Sequence, residues 1–197
     1  LKKIRKMSAI EYILYTAVIL GVVGLDHLTK ILAVVFLKPI NSVPIIKGVL
    51  HLTYATNDGM AWGLFGDKRF IFLSVSTVMI IALIFYIVKY KPSSKWVMTS
   101  LILIVGGGIG NMIDRVLLGY VIDFIYVRLI DFPVFNVADS FVCVGAGLML
   151  LWVIRSMIAE SRAEKQVAVA PASADADEAA ENSEPSLDAT DGEEERF

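Results

Sequence analysis

Residues 96–113 read WVMTSLILIVGGGIGNMI, eighteen consecutive positions without a charged side chain, closed by Asp114 and Arg115. At about 1.5 Å of rise per residue such a run spans about 27 Å as a helix, close to the hydrocarbon thickness of a bilayer. The stretch therefore reads as a transmembrane helix that ends on an acid. Acids at that depth are expensive, which makes each one a candidate for function.

Three further apolar runs flank this one. The first covers residues 10–24 and continues through Asp26 to residue 36, another covers 70–88, and the last covers 139–158. With 56% hydrophobic residues and a mean hydropathy of +0.68, the chain is read as an integral membrane protein, mainly α, with four transmembrane helices. Four spans put both termini on one side. Lys2, Lys3, Arg5 and Lys6 precede span one, Lys89, Lys91 and Lys95 join spans two and three, and Arg155, Arg162 and Lys165 follow span four. By the positive-inside bias these flanks are cytoplasmic. The opposite side carries Lys38, Lys47, Lys68, Arg69 and Arg128, so the bias is moderate. No small-x-small cleavage site follows the first segment before Asp26, so that segment reads as an uncleaved anchor.

Residues 37–69 form an outward connection punctuated by Pro39, Pro44 and Gly48. Within it residues 49–55, VLHLTYA, have the β-branched and aromatic content of a short strand. A small extracytoplasmic β element between helices one and two is expected, running into residues 57–65, where Trp62 and Phe65 suit the membrane interface. From Ala163 the composition shifts to Ala, Ser, Asp and Glu. Residues 1–162 are read as the membrane domain and 163–197 as a disordered, acidic, cytoplasmic tail. Residues 166–197 carry a net charge of −9, so the overall −2 conceals a membrane domain of +7.

Several chemistries are poorly supplied. There is one cysteine, Cys143, in span four, read as core filler, and only two histidines, His27 and His51. No His-Glu-x-x-His or Gly-x-Ser-x-Gly occurs. The acids lack the dense oxygen-ligand spacing of a Mg²⁺ or Ca²⁺ site, and no metal or organic cofactor and no nucleic acid is implied.

The acids themselves differ. Asp26 and Lys30, four apart, share a helix face and are placed to pair. Asp114 adjoins Arg115 and follows Asn111 by three, a setting that suits a scaffold better than a proton carrier. Asp123 sits in YVIDFIY, residues 120–126, an apolar setting that raises a carboxyl pKa. Asp139 opens span four after Asn136, where a helix N-cap is an alternative to a chemical role. Two carboxylates brought together share a proton, and such a pair hydrolyses peptides through an activated water.

In order along the chain stand DHLTK (26–30), NDGMAW (57–62), GGGIGNMIDR (106–115), VIDF (121–124) and FNVADS (135–140). This pattern resembles lipoprotein signal peptidase, also called signal peptidase II, over about residues 8–158. The resemblance implies a bacterial aspartic endopeptidase of the cytoplasmic membrane, its active site near the outer face. Its substrates would be diacylglyceryl-modified prolipoproteins, cut just before the lipidated cysteine, with membrane lipids around the helices. The catalytic pair carries over to Asp123 and Asp139. Asn111, Asp114 and Arg115 become support for the site and the substrate backbone. Asn57, Gly59 and Asn136 become polar contacts for the substrate or the pair, and Asp26 with Lys30 structural support. A proton-coupled transporter using the buried acids, or an adaptor acting through the tail, fits less well: there is no internal repeat, and an adaptor leaves the outward acids unexplained.

Overall fold

The computed structural model describes residues 6–58 and 69–181, with side chains at 6–58 and 73–165. Gly59 and the aromatic turn at Trp62 and Phe65 lie outside the described residues, as do Lys2, Lys3, Arg5, Lys68 and the last part of the tail.

Helix α1 (Ala9–Leu32) begins at a capping box: the Ser8 hydroxyl accepts from the Glu11 N–H, and the Glu11 carboxylate accepts from the Ser8 N–H at 2.9 Å. It ends in a π-helical turn, Ala33–Leu37. Strands β1 (Ser42–Ile46) and β2 (Leu50–Asn57) follow, then α2 (Arg69–Tyr90), α3 (Lys95–Leu117), β3 (Val121–Val127), a 3₁₀ turn (Arg128–Ile130) and α4 (Val137–Glu181). Four of these helices are long and apolar enough to cross a membrane, over Ala9–Leu37, Leu73–Tyr90, Lys95–Leu117 and Val137–Lys165. The chain divides into two compact units, Leu1–Trp152 and Val153–Phe197, the boundary falling within α4, whose helix runs on to Glu181 through residues 163–181 that the composition reads as disordered, since their many alanines favour helix. In the second unit, Arg155, Ile158 and Arg162 line a shallow hollow along the helix.

Helix α3 is the most buried of the four spans. Its glycines explain how three other helices reach it. A Cβ at Gly106 would come within 2.9 Å of the Val22 side chain on α1, and one at Gly108 within 3.2 Å of Ile80 on α2. At Gly107 a Cβ would collide with the Ala138 carbonyl oxygen of α4. Small residues that let backbones approach closely are what holds helices together where lipid removes the hydrophobic drive.

The strands form one antiparallel sheet in the order β1-β2-β3. The hairpin β1–β2 lies where the sequence places a β element, with β2 shifted one residue later and extended to Asn57. Pro44 sits within β1, which is tolerable because β1 is an edge strand. The third strand comes from between α3 and α4, a contribution the sequence reading leaves unassigned. Its first four residues are all buried, so no polar alternation marks it. Ala55 pairs with Asp123 and Asn57 with Val121, which sets Asn57 diagonally from Asp123 on the same sheet face.

Cys143 is exposed rather than core filler. The inference from soluble cores fails here because an apolar side chain on a span finds an apolar surrounding without protein contact. The exposed Ile13, Leu20, Ile31, Ile81, Val144 and Leu150 show the same relation.

Candidate active site

Four elements deliver polar side chains to one end of the bundle. From α1 come Asp26 and Lys30, from α3 Asn111 and Asp114, from β3 Asp123, and from the start of α4 Asn136 and Asp139. Asp26 and Asn136 are fully buried, Asp123 and Lys30 are 2% exposed, and Asp114 is 4% exposed. Buried polar groups must find partners, and here the partners are one another.

The Lys30 ammonium lies 2.7 Å from the Asp26 carboxylate, 2.9 Å from Asp114, and donates to the Asn111 amide oxygen at 2.9 Å. Its three donors are thus matched to three acceptors. The Asp26–Lys30 pair was expected from spacing. The pairing of Asp114 with Lys30 was not: the cation set against Asp114 comes from another helix, whereas the sequence offered its neighbour Arg115. The Arg115 guanidinium also acts electrostatically on Asp139. His27, absent from the expected site, stands between the two scaffold acids, 3.8 Å from Asp26 and 4.0 Å from Asp114.

Both scaffold carboxylates have a second task. Asp26 Oδ1 accepts from the Ala138 N–H at 2.9 Å, in the first turn of α4. Asp114 Oδ2 accepts from the Ile122 N–H at 3.1 Å, one residue before Asp123. Lys30 and its two acids therefore fix the backbones that carry the two remaining carboxylates. Gly110 keeps this space open, since a Cβ there would come within 2.7 Å of Asp26 Oδ2.

Asp123 and Asp139 are held by amides. Asn136 Nδ2 donates to Asp123 Oδ1 at 2.6 Å and to Asn111 Oδ1 at 3.0 Å, and Asn111 Nδ2 donates to Asp139 Oδ1 at 2.7 Å. The Asn57 side chain also hydrogen-bonds Asp123. Asn136 caps α4: its Oδ1 accepts from the Asp139 N–H at 2.9 Å, and Asp139 Oδ2 accepts from the Asn136 N–H at 3.2 Å. The N-cap alternative for Asp139 is thus corrected by one turn of geometry. Asn136 is the cap and Asp139 its reciprocal partner, which still leaves Asp139 Oδ1 directed to Asn111. Asn136 reaches this place because Phe135 bridges to Ile125, exchanging hydrogen bonds at 2.8 and 3.0 Å.

Burial pushes the Asp123 carboxyl up to about 6 from the usual 3.8; the Asp139 charge adds to the rise, while hydrogen bonds from Asn57 and Asn136 and the Lys30 charge oppose it. Such a group exchanges its proton near neutrality. On the sheet face that Phe124 presents, opposite to that of Asp123, opens an apolar groove of about 520 Å³ between the end of α1 and the sheet, lined by Leu32, Phe36, Ile40, Leu52 and Phe124 among others. Among the described residues no group of three His, Cys, Asp or Glu side chains is placed to hold a metal ion.

A family profile described as Signal peptidase (SPase) II matches residues 18–155. A lipoprotein signal peptidase of Streptococcus thermophilus is 43% identical over 133 residues, covering 68% of this chain and 87% of the relative. One from Halalkalibacterium halodurans is 37% identical over 155 residues, covering 78% of this chain and 97% of the relative. A solved bacterial membrane enzyme, determined by the in meso method at 1.9 Å resolution, is similar with a TM-score of 0.66 at 32% identity, over 71% of this chain and 91% of that one.

Proposed function

The chain belongs to the signal peptidase II family, and from that membership we propose that it removes the signal peptides of diacylglyceryl-modified bacterial prolipoproteins as an aspartic endopeptidase. Membership itself makes it a membrane-spanning protease of lipoprotein processing. The finer reading assigns catalysis to Asp123 and Asp139. One observation carries that assignment: of the four carboxylates gathered at this end of the bundle, Asp26 and Asp114 are ion-paired to Lys30 and each accepts a backbone N–H from another element. Asp123 and Asp139 are joined by the neutral amides of Asn111 and Asn136.

In the reaction the pair carries one shared proton. The ionised member takes a proton from water, and the hydroxide formed attacks the scissile carbonyl carbon. The protonated member donates a hydrogen bond to the carbonyl oxygen as it becomes an oxyanion. Collapse of the tetrahedral intermediate breaks the C–N bond, and the proton passes to the leaving nitrogen of the lipidated cysteine. Asn111 and Asn136 are orienters, since their amides fix which carboxylate oxygens face outward. Asn57 extends the polar lining toward the substrate chain, with Arg115 supporting the Asp139 side. The apolar groove under Phe124 suits an acyl chain at membrane level.

The flanking Lys and Arg support cytoplasmic termini and an active site near the outer face of the cytoplasmic membrane. Residues 163–197 are an acidic cytoplasmic extension outside the peptidase domain of residues 1–162. The test is cleavage of a diacylglyceryl prolipoprotein by the purified chain with chelator present, with the products weighed. A single cut before the modified cysteine, retained when residues 166–197 are removed, is expected. Equal cutting of the unmodified precursor, or loss of activity with the tail, would overturn the reading.

A further inference from the structure

At the end of the bundle opposite the carboxylates, about 25 Å away along α3, lies a second cleft, of about 750 Å³. Leu83 and Tyr86 of α2, Ser94 before α3, Leu101 of α3, and Met149 and Trp152 of α4 line it. Its depth is aliphatic, and the Tyr86 and Trp152 rings are the amphipathic kind that settle at a bilayer's polar boundary. None of these residues takes part in the proposed hydrolysis.

The chain that joins α2 to α3 beside this cleft carries charge of one sign. No acidic residue occurs between Asp67 and Asp114, while Lys89, Lys91 and Lys95 fall within the seven residues that close α2 and open α3. The Lys89 ammonium is set over the rings of Phe85 at 5.0 Å and Tyr90 at 5.5 Å. Lys91 takes a left-handed backbone, φ 46°, with its N–H bonded to the Ile87 carbonyl at 3.1 Å, and Pro92 follows it. Glycine fills such a helix-ending position at less cost, so the turn keeps a cation where its own geometry does not ask for one.

We propose that this cleft binds an anionic phospholipid, one acyl chain lying between α2, α3 and α4 and the phosphate meeting Lys91 and Lys95. An aliphatic slot whose lining residues Pro92 and Ser94 adjoin Lys91 and Lys95 in the chain matches that ligand class. A zwitterionic lipid gains only the slot, and free phosphate gains only the lysines. Basic residues near an anionic lipid surface contribute about 1 kcal/mol each, about fivefold in affinity per lysine.

The test is native mass spectrometry of the full chain released from detergent, titrated with phosphatidylglycerol and with phosphatidylcholine of identical acyl chains. Phosphatidylglycerol should be retained preferentially, and Lys91→Gln with Lys95→Gln should reduce its affinity by about twenty-fivefold, toward that of phosphatidylcholine. Leu83→Trp, which fills the slot and leaves the lysines, should weaken both lipids. Equal retention of the two lipids by the parent chain would overturn the proposal. Phosphatidylglycerol binding that survives both variants, or that inorganic phosphate alone displaces at the strength of the lipid, would do so as well.

Discussion

Two pairs of acids stand side by side in this protein, Asp139 partly exposed and the other three buried, and they are held by opposite means. Asp26 and Asp114 share the Lys30 ammonium at 2.7 and 2.9 Å and spend an oxygen each on the N–H groups of Ala138 and Ile122. Asp123 and Asp139 are held by amides, which satisfy oxygens without supplying a full charge. The difference separates scaffold from chemistry. A carboxylate in direct contact with a cation positions chain, whereas two carboxylates whose contacts are neutral amides have a proton left to share.

Removing the scaffold's cation is the most damaging way to test this division. Lys30→Met leaves two buried carboxylates uncompensated, and breaking a buried pair by deleting one partner costs about 3–5 kcal/mol. Thermal unfolding in detergent should show a large loss of stability. A variant that melts like the parent would mean that Lys30 is not the counter-ion of this cluster.

Asn136→Ala is expected to come next. It removes the α4 cap, worth about 1 kcal/mol, together with the amide contacts to Asp123 and Asn111. Turnover should fall far more than the melting temperature, because the orientation of both acids depends on this side chain. Unchanged turnover in a folded protein would remove Asn136 from the site.

The smallest effect sharpens the comparison through pH. The shared proton is lost as pH rises, so activity should decline on the alkaline side. Asn57 favours the charged form of Asp123 by hydrogen bonding. Asn57→Ala removes that support, raises the carboxyl pKa, and should move the alkaline limb to higher pH by a fraction of a unit to one unit. A shift to lower pH would contradict the assignment of Asn57 as a donor that favours the charged carboxylate. The same sign governs stability: a carboxyl raised from 3.8 to about 6 stabilises the fold below pH 4, and that contribution is lost as pH climbs through 6.

Much of this was legible in the chain. Span lengths follow from uninterrupted apolar runs, and Asp26–Lys30 from a four-residue spacing. The capping box of α4 was written as Asn136-Val137-Ala138-Asp139, a cap residue with its acid three positions on, although the acid drew the attention. Strand β3 was hidden because its buried start lacks alternation, and β1 because Pro44 argues against a strand until its edge position is known. The hub around Lys30 could not be read at all: Asn111, Asp114 and Ala138 reach Lys30 and Asp26 only after α1, α3 and α4 have packed through the small residues at Gly106, Gly107 and Gly110. Cys143 was misplaced by a rule that holds in water and fails in lipid.

The central claim is that the amide-held acids, not those bound to Lys30, carry the reaction. Cleavage of a diacylglyceryl prolipoprotein by Asp123→Asn, Asp139→Asn and Asp114→Asn, each shown to be folded, tests it most directly. The first two should be inactive, a loss of at least about 10³-fold. Asp114→Asn should retain measurable turnover with lowered stability. Activity surviving in folded Asp123→Asn, with none in folded Asp114→Asn, would contradict the account.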